Sequence, residues 1–243
     1  TPSSRFSQFA AGEEGNYQQL SRNIIQIENE LYSPIRPKQP TKSMEKPTDA
    51  LVRRGISYIE VRALDVNPFS AIGISQTQFD FLDVFLVACL LMPSAELDEA
   101  QLKEAKENMN KVVLEGRNPD LLLQNGGENI SLPNWCASLF KSFEQAAELL
   151  DLANDTSRYT QAVNIEAEKV ADPALTPSGK LLATLLESDK DNGVLGLELA
   201  QAYQAEMKSF EYTDTDAAGF AAQADVSFAA QKEIEAADVK DFD

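Results

Sequence analysis

The spacing of apolar residues changes near Gly73. Before it, apolar and polar side chains alternate, the mark of half-buried strands; after it, apolar residues recur every third or fourth position in one segment after another. The pattern predicts an α+β chain: a strand-rich part over residues 1–73 and a mainly helical region over 74–243. There is no internal repeat.

Two strands are expected in the first part. One runs roughly from Ile24 to Tyr32. Ile25, Ile27 and Leu31 share a face; Gln26, Glu28, Glu30 and Tyr32 share the other, with Ile24 as an apolar exception. The second runs roughly from Ile56 to Leu64, with Ile59, Val61 and Ala63 on one side and Tyr58, Glu60 and Arg62 on the other. Between them Pro34, Pro37, Pro40 and Pro47 argue against a regular helix or central strand, because proline lacks the donor both need. Near the end of this connection Thr48 can cap a short helical turn through Arg54, with Gly55 as its stop. A connection this long between strands is usually functional.

The helical region opens on a capping-box pattern, Ser75 to Gln78, and its first helix must end before Pro93. A second helix is expected from Glu96 or Asp98 to about Leu114, stopped at Gly116. A third starts at Pro133, where the missing donor does no harm, and reaches about Leu152. Others follow at Tyr159–Ala171, Pro177–Glu187, Val194–Phe210 and from Ala217 onward. The longest apolar run, Val84 to Met92, falls well short of the ~20 residues a bilayer span needs, so it reads as a buried helix and not a membrane anchor.

Composition narrows the chemistry. The chain has 243 residues, 43% of them hydrophobic, enough to bury a real core. Its 39 acidic residues against 21 basic ones give a formal charge of −18, which repels nucleic-acid phosphates and anionic membranes; the same excess also serves solubility. There is no histidine, which removes imidazole bases and imidazole metal sites. Cys89 and Cys136 form no CxxC pattern, and both sit in apolar helical stretches. They are expected to be buried, reduced thiols, as in a cytoplasmic protein. A metal site would then be built from carboxylates, which suits Mg²⁺ or Mn²⁺. The chain begins at Thr1 without a signal segment, as if cut from something longer.

Three constellations can carry chemistry. Arg36, Lys38, Lys42, Lys46, Arg53 and Arg54 face only Glu45 and Asp49, a local balance of +4 inside an acidic chain. Such a loop can focus field on an anionic ligand such as a nucleotide phosphate, or merely balance nearby acids. In Tyr58-Ile59-Glu60-Val61-Arg62, Glu60 and Arg62 emerge on the same side of a strand, roughly 6.5–7 Å apart along the backbone. A carboxylate for a cation beside a guanidinium for phosphate oxygens is what phosphoryl transfer requires; an exposed strand with a surface charge pair has the same pattern. Glu28, Glu30 and Tyr32 on one face can bind a zwitterionic amino acid or form a wet sheet face. Glu115-Gly116-Arg117 reads as a helix stop, and the lone Trp135 as core.

At these same residues the sequence resembles a known family. Gln26-Ile27-Glu28-Asn29-Glu30-Leu31-Tyr32, Pro34-Ile35-Arg36-Pro37-Lys38, Tyr58-Ile59-Glu60-Val61-Arg62, Leu64-Asp65, Asn67-Pro68-Phe69-Ser70 and Leu114-Glu115-Gly116-Arg117 are similar, in residues and spacing, to motifs of the proteobacterial glutamate–cysteine ligase family. The likeness covers nearly the whole chain and is strongest from Ile24 to Ile72. It implies antiparallel strands belonging to a catalytic sheet like that of glutamine synthetase. It also implies ATP-dependent joining of the γ-carboxylate of glutamate to the amine of cysteine through a γ-glutamyl phosphate, with ATP and Mg²⁺ (or Mn²⁺) as cofactors. By position the resemblance implies that Glu60 binds magnesium, Arg62 contacts the transferring phosphoryl group, and Tyr32 helps recognise the cysteine carboxylate. The family's proteins are longer, which implies a missing N-terminal half with most metal carboxylates, another phosphate-facing arginine and much of the sheet. The implied partners are the small substrates and that half, with no nucleic acid and no membrane. A related carboxylate–amine ligase acting on another amine, or a non-catalytic helical interaction protein, are the competing readings.

Overall fold

A computed structural model describes residues 4–9, 18–27, 30, 32–211 and 217–239. The chain divides into two compact units, Thr1–Val66 and Asn67–Asp243. The fold is α+β, with two small antiparallel sheets and a larger helical part.

In the first unit, β1 (Ile35–Lys38) pairs antiparallel with β2 (Tyr58–Val61), and α1 (Pro47–Arg54) lies between them in sequence. The partner of β2 is therefore Ile35–Lys38, within the proline-rich stretch, and not the expected strand at Ile24–Tyr32. Residues 24–27 are bends, and Tyr32 is irregular; Glu28, Asn29 and Leu31 lie outside the described residues. Polar side chains hold this bend. Gln26 accepts from Ser21 N at 3.0 Å and donates to Asn23 O at 2.8 Å, while Glu30 accepts from Gln26 N at 2.9 Å. Alternation survives in the letters, but local bonds take the backbone elsewhere.

Prolines do not prevent β1 because a two-stranded sheet has only edges. Arg62 N donates to Pro34 O at 2.6 Å, which fixes the hydrogen-bonding parity; Pro37, opposite Ile59, has the other parity, so its missing N–H would point away from β2. The second strand is shorter than the expected Ile56–Leu64. Helix α1 begins with Pro47 after Lys46, so Thr48 is not the cap, and it ends as expected at Gly55, whose φ of 74° favours glycine.

The second unit contains α2 (Gln76–Leu91), α3 (Glu99–Glu115), β3 (Leu122–Asn125), β4 (Glu128–Ser131), α4 (Leu132–Asn154), α5 (Arg158–Ala171), α6 (Pro177–Ser188), α7 (Asn192–Lys208) and α8 (Ala217–Ala237). The capping box at Ser75 and Gln78 forms as expected, and Asp98 makes another with Gln101. The β3–β4 hairpin lies between the second and third expected helices, in a stretch to which the spacing assigned no element. Gly126 (φ 63°) and Gly127 (φ 85°) make its turn, and both Glu104 carboxylate oxygens accept from their N–H groups at 2.9 and 3.0 Å. Buried Asn108 exchanges two hydrogen bonds with the Gln124 backbone at 2.7 and 2.9 Å, fastening the hairpin to α3.

The main core lies among α2, α4 and α5. Val84 and Ala88 from α2 meet Phe143, Ala146 and Ala147 from α4 and Tyr159 and Val163 from α5. Phe143 sits edge-on to Phe81, Phe85 and Phe140, with ring centroids 5.4–6.0 Å apart. Trp135 is half-buried. Cys89 is exposed and Cys136 half-buried, both free, which corrects the expectation of buried thiols. Among the described residues no helix is long and apolar enough to cross a membrane.

Candidate functional site

The register of β1 and β2 assembles the site. Arg36 lies opposite Glu60, and Lys38 opposite Tyr58. Facing residues of an antiparallel pair point to the same side, and so do residues two apart on one strand. Arg36, Lys38, Tyr58, Glu60 and Arg62 therefore share one face. Ile35, Ile59 and Val61 take the opposite face.

On the polar face, Glu60 is the centre of a triad. Arg62 Nε donates to Glu60 Oε1 at 2.6 Å, and Lys38 Nζ lies 3.1 Å from Oε2. Their side chains are 31–39% exposed, so the triad is open to water and not buried in a core. The hydrogen bond from Arg62, then that from Lys38, holds the Glu60 carboxyl below its ordinary range. Glu60 in turn keeps the Arg62 guanidinium above its ordinary value, with a smaller contribution from the nearby Tyr32 hydroxyl. The structure joins Glu60 and Arg62 in one ion pair, while Tyr32 lies exposed on the segment before β1.

The basic stretch is less free than its composition suggested. Arg54 grips Glu45 with two parallel hydrogen bonds of 2.8 Å and donates to Pro40 O at 2.7 Å, while Arg53 lies 3.7 Å from the same carboxylate. Glu45 is held down to about 2, first by Arg54 and then by the Lys42 backbone N–H. Arg53 and Arg54 therefore fasten the connection to itself. Arg36, Lys42 and Lys46 make no ion pair among the described residues.

A carboxylate-bound divalent ion needs several hard oxygen donors converging on one point. Glu60 supplies one hard oxygen donor on an accessible face. Among the described residues no three acidic, histidine or cysteine side chains gather to hold a metal. Glu60 is thus a single oxygen donor, already paired with Lys38 and Arg62, and no set of metal ligands is assembled among the described residues. The alternation of the second strand revealed the Glu60–Arg62 pair; the contact with Lys38 was missed because it follows from the β1–β2 register, which no local pattern encodes. In the second unit, Asn67, Phe69, Thr77, Gln78, Lys169 and Lys180 help line a cavity of about 200 Å³ that holds none of the predicted site residues.

Residues 1–112 match the family model described as glutamate-cysteine ligase. A protein of Shewanella pealeana named glutamate–cysteine ligase is 46% identical over 213 residues, 88% of this chain and 41% of that protein. One of Vibrio vulnificus strain YJ016 with the same name is 42% identical over 245 residues, 100% of this chain and 46% of that protein. Among solved structures, a glutamate–cysteine ligase of Francisella tularensis in complex with AMP superposes with a TM-score of 0.81 at 34% identity, covering 98% of this chain and 46% of that one. The chain spans somewhat less than half the length of the curated relatives it matches.

Proposed function

Because this chain belongs to the glutamate–cysteine ligase family, we propose that it forms part of an enzyme that joins glutamate to cysteine at the expense of ATP, the first step of glutathione synthesis. A γ-carboxylate oxygen of glutamate attacks the γ-phosphorus of ATP, and ADP leaves. The cysteine amine then attacks the acyl carbon of the γ-glutamyl phosphate, inorganic phosphate leaves, and the amine gives up a proton. The single observation that carries this reading is the open strand face on which Glu60 and Arg62 stand side by side with Arg36 and Lys38. The AMP bound to the Francisella relative supports a nucleotide ligand.

In this proposal Arg62 is the catalytic residue. Its remaining N–H groups turn to the equatorial oxygens of the transferring phosphoryl group, while the bond to Glu60 sets the guanidinium plane. Exposed Tyr32 binds the cysteine carboxylate through its hydroxyl. Glu60 is one ligand of Mg²⁺, with Mn²⁺ an alternative; when bound, such an ion neutralises charge on the phosphates. The other carboxylates belong to the N-terminal half of the enzyme, so this chain alone is inactive. The enzyme works in the cytoplasm and needs no nucleic acid or membrane partner.

The test is turnover. In a full-length relative carrying these positions, Glu60→Gln and Arg62→Ala are expected to lower γ-glutamylcysteine formation by ~10² or more, the usual effect of losing a group that stabilises developing charge. Unchanged turnover in both variants overturns the assignment. The purified 243-residue chain is expected to form no product. Ligation at an ordinary enzyme rate by the chain alone refutes the divided site.

A further inference from the structure

We propose that the cavity in the helical unit is an accessory binding site for a small organic anion, a carboxylate carried on a short apolar body. All of its lining belongs to the second unit, so the inference stands independently of the ligase reading.

The polar part of the lining offers donors. Its ionisable groups are Lys169 and Lys180, and among the described residues no carboxylate lines it, an inversion within a chain of formal charge −18. Lys169 is bonded to Glu166, which cancels much of its charge. Lys180 is exposed and makes no ion pair among the described residues, so its charge is available. The amides are fixed end for end. Asn67 Oδ1 accepts from Phe69 N at 3.0 Å, which turns its Nδ2 to Gln78 Oε1 at 2.8 Å. Gln78 Oε1 also accepts from Ser75 N at 3.0 Å, so the Gln78 Nε2 group keeps both N–H donors unspent among the described residues. Thr77 and Gln78 stand in the first turn of α2, and Pro177 opens α6, the ends where a helix carries partial positive charge.

The rest of the lining is apolar: Phe69, Ile165, Leu175 and Pro177. A bare inorganic anion would leave these walls against water. A carboxylate with a short hydrocarbon or ring attached covers them while its oxygens accept from the ammonium and amide groups. The volume of about 200 Å³ admits such a ligand and is small beside the roughly 300–1,000 Å³ of sites that take drug-sized molecules. The same donors exclude a metal cation, which would find two ammonium groups and no carboxylate along the wall.

The probes are benzoate, its neutral counterpart benzamide and inorganic phosphate. Each is titrated into the isotopically labelled chain at neutral pH and constant ionic strength, with the amide signals of Thr77, Gln78 and Lys180 as the readout. Benzoate is expected to shift them saturably in the millimolar range, as suits a ligand of few atoms. Benzamide should bind about fivefold more weakly, the size of one close charge contact in water, and Lys180→Met should weaken benzoate by about the same factor. Lys180→Arg should stay near the parent. Lys106→Met, which removes an exposed lysine of α3 outside the cavity, should change the affinity less than about twofold, since only the screened general field is altered. Ile165→Ala should weaken benzoate and leave phosphate unchanged. Unmoved signals of Phe143 and Val163 show that the core of each variant is intact. No saturable shift with benzoate, or benzamide binding as tightly, overturns the anion site. Equal weakening by Lys180→Met and Lys106→Met overturns it as well. Phosphate binding as tight as benzoate, with Ile165→Ala without effect on either, refutes the organic ligand.

Discussion

The two units are held together by different forces. In the second, α2, α4 and α5 enclose Val84, Phe143 and Val163, each at most 5% exposed, and buried polar groups such as Asp151 and Asn108 are bonded to backbone. In the first, Ile35, Tyr58 and Ile59 are 45–53% exposed, and the ordered contacts include two ionic clusters, at Glu45 and Glu60. The helical unit is organised by burial, which is strong and independent of salt. The strand face is organised by charge pairs in water, which are weak and easily rearranged. The catalytic proposal therefore falls on the part that its own contacts stabilise least.

The sharpest way to break this comparison is to open a hole in the helical core. Phe143 is 5% exposed and touches three other rings. Phe143→Ala is expected to lower the unfolding free energy by about 3–5 kcal/mol, from lost transfer energy plus the cavity left behind. Chemical denaturation followed by circular dichroism measures it. A loss below about 1 kcal/mol would mean that α2, α4 and α5 do not form one packed core.

A smaller effect is expected at Asp151, near the end of α4. Its two carboxylate oxygens accept from Tyr159 N at 3.0 Å and Thr160 N at 2.9 Å, so it caps the start of α5 from outside that helix. Burial pushes its carboxyl up, but hydrogen bonds from Thr160 and Tyr159 and the charge of Arg158 outweigh this and leave it below the ordinary value. Asp151→Ala is expected to cost about 1–2 kcal/mol near neutral pH, the upper range for a lost cap. The sign follows from linkage. A depressed folded-state value means that the benefit is complete above the unfolded value of roughly 3.9 and disappears as pH falls through the lower folded value. The difference between parent and variant should therefore shrink in acid. A difference that grows on acidification would contradict the capping role.

The same contrast explains what could be read from the letters. Helix α2 was legible at both ends because Ser75, Gln78 and Pro93 act within a few residues of themselves, and α4 because Pro133 marks a first turn. The β3–β4 hairpin was missed although Asn125-Gly126-Gly127 is a turn signal, because its strands are only four residues long and flanked by strong helices. The first unit was harder. Its second strand and the Glu60–Arg62 pair follow from alternation alone. The partner strand does not, since the letters from Ile25 to Tyr32 offer an alternating stretch as Ile35–Lys38 does, and only a tertiary choice separates them. With that partner misassigned, Lys38 could be seen as part of a basic stretch but not as a neighbour of Glu60.

The smallest expected effect concerns the other side of the sheet. Ile59 lies opposite Pro37 and is 45% exposed, on the face turned away from Glu60. Ile59→Thr keeps the β-branched shape and changes only what the side chain offers to its surroundings. In this chain the substitution should alter stability by less than about 0.5 kcal/mol, as is usual for half-exposed positions without special contacts. In a full-length relative, a sheet face covered by further strands or helices would lose the burial of a large apolar group, and the same change should cost about 1–2 kcal/mol. Equal, negligible costs in both would mean that this face stays in water throughout, and would separate the strand pair from the larger sheet on which the ligase reading depends.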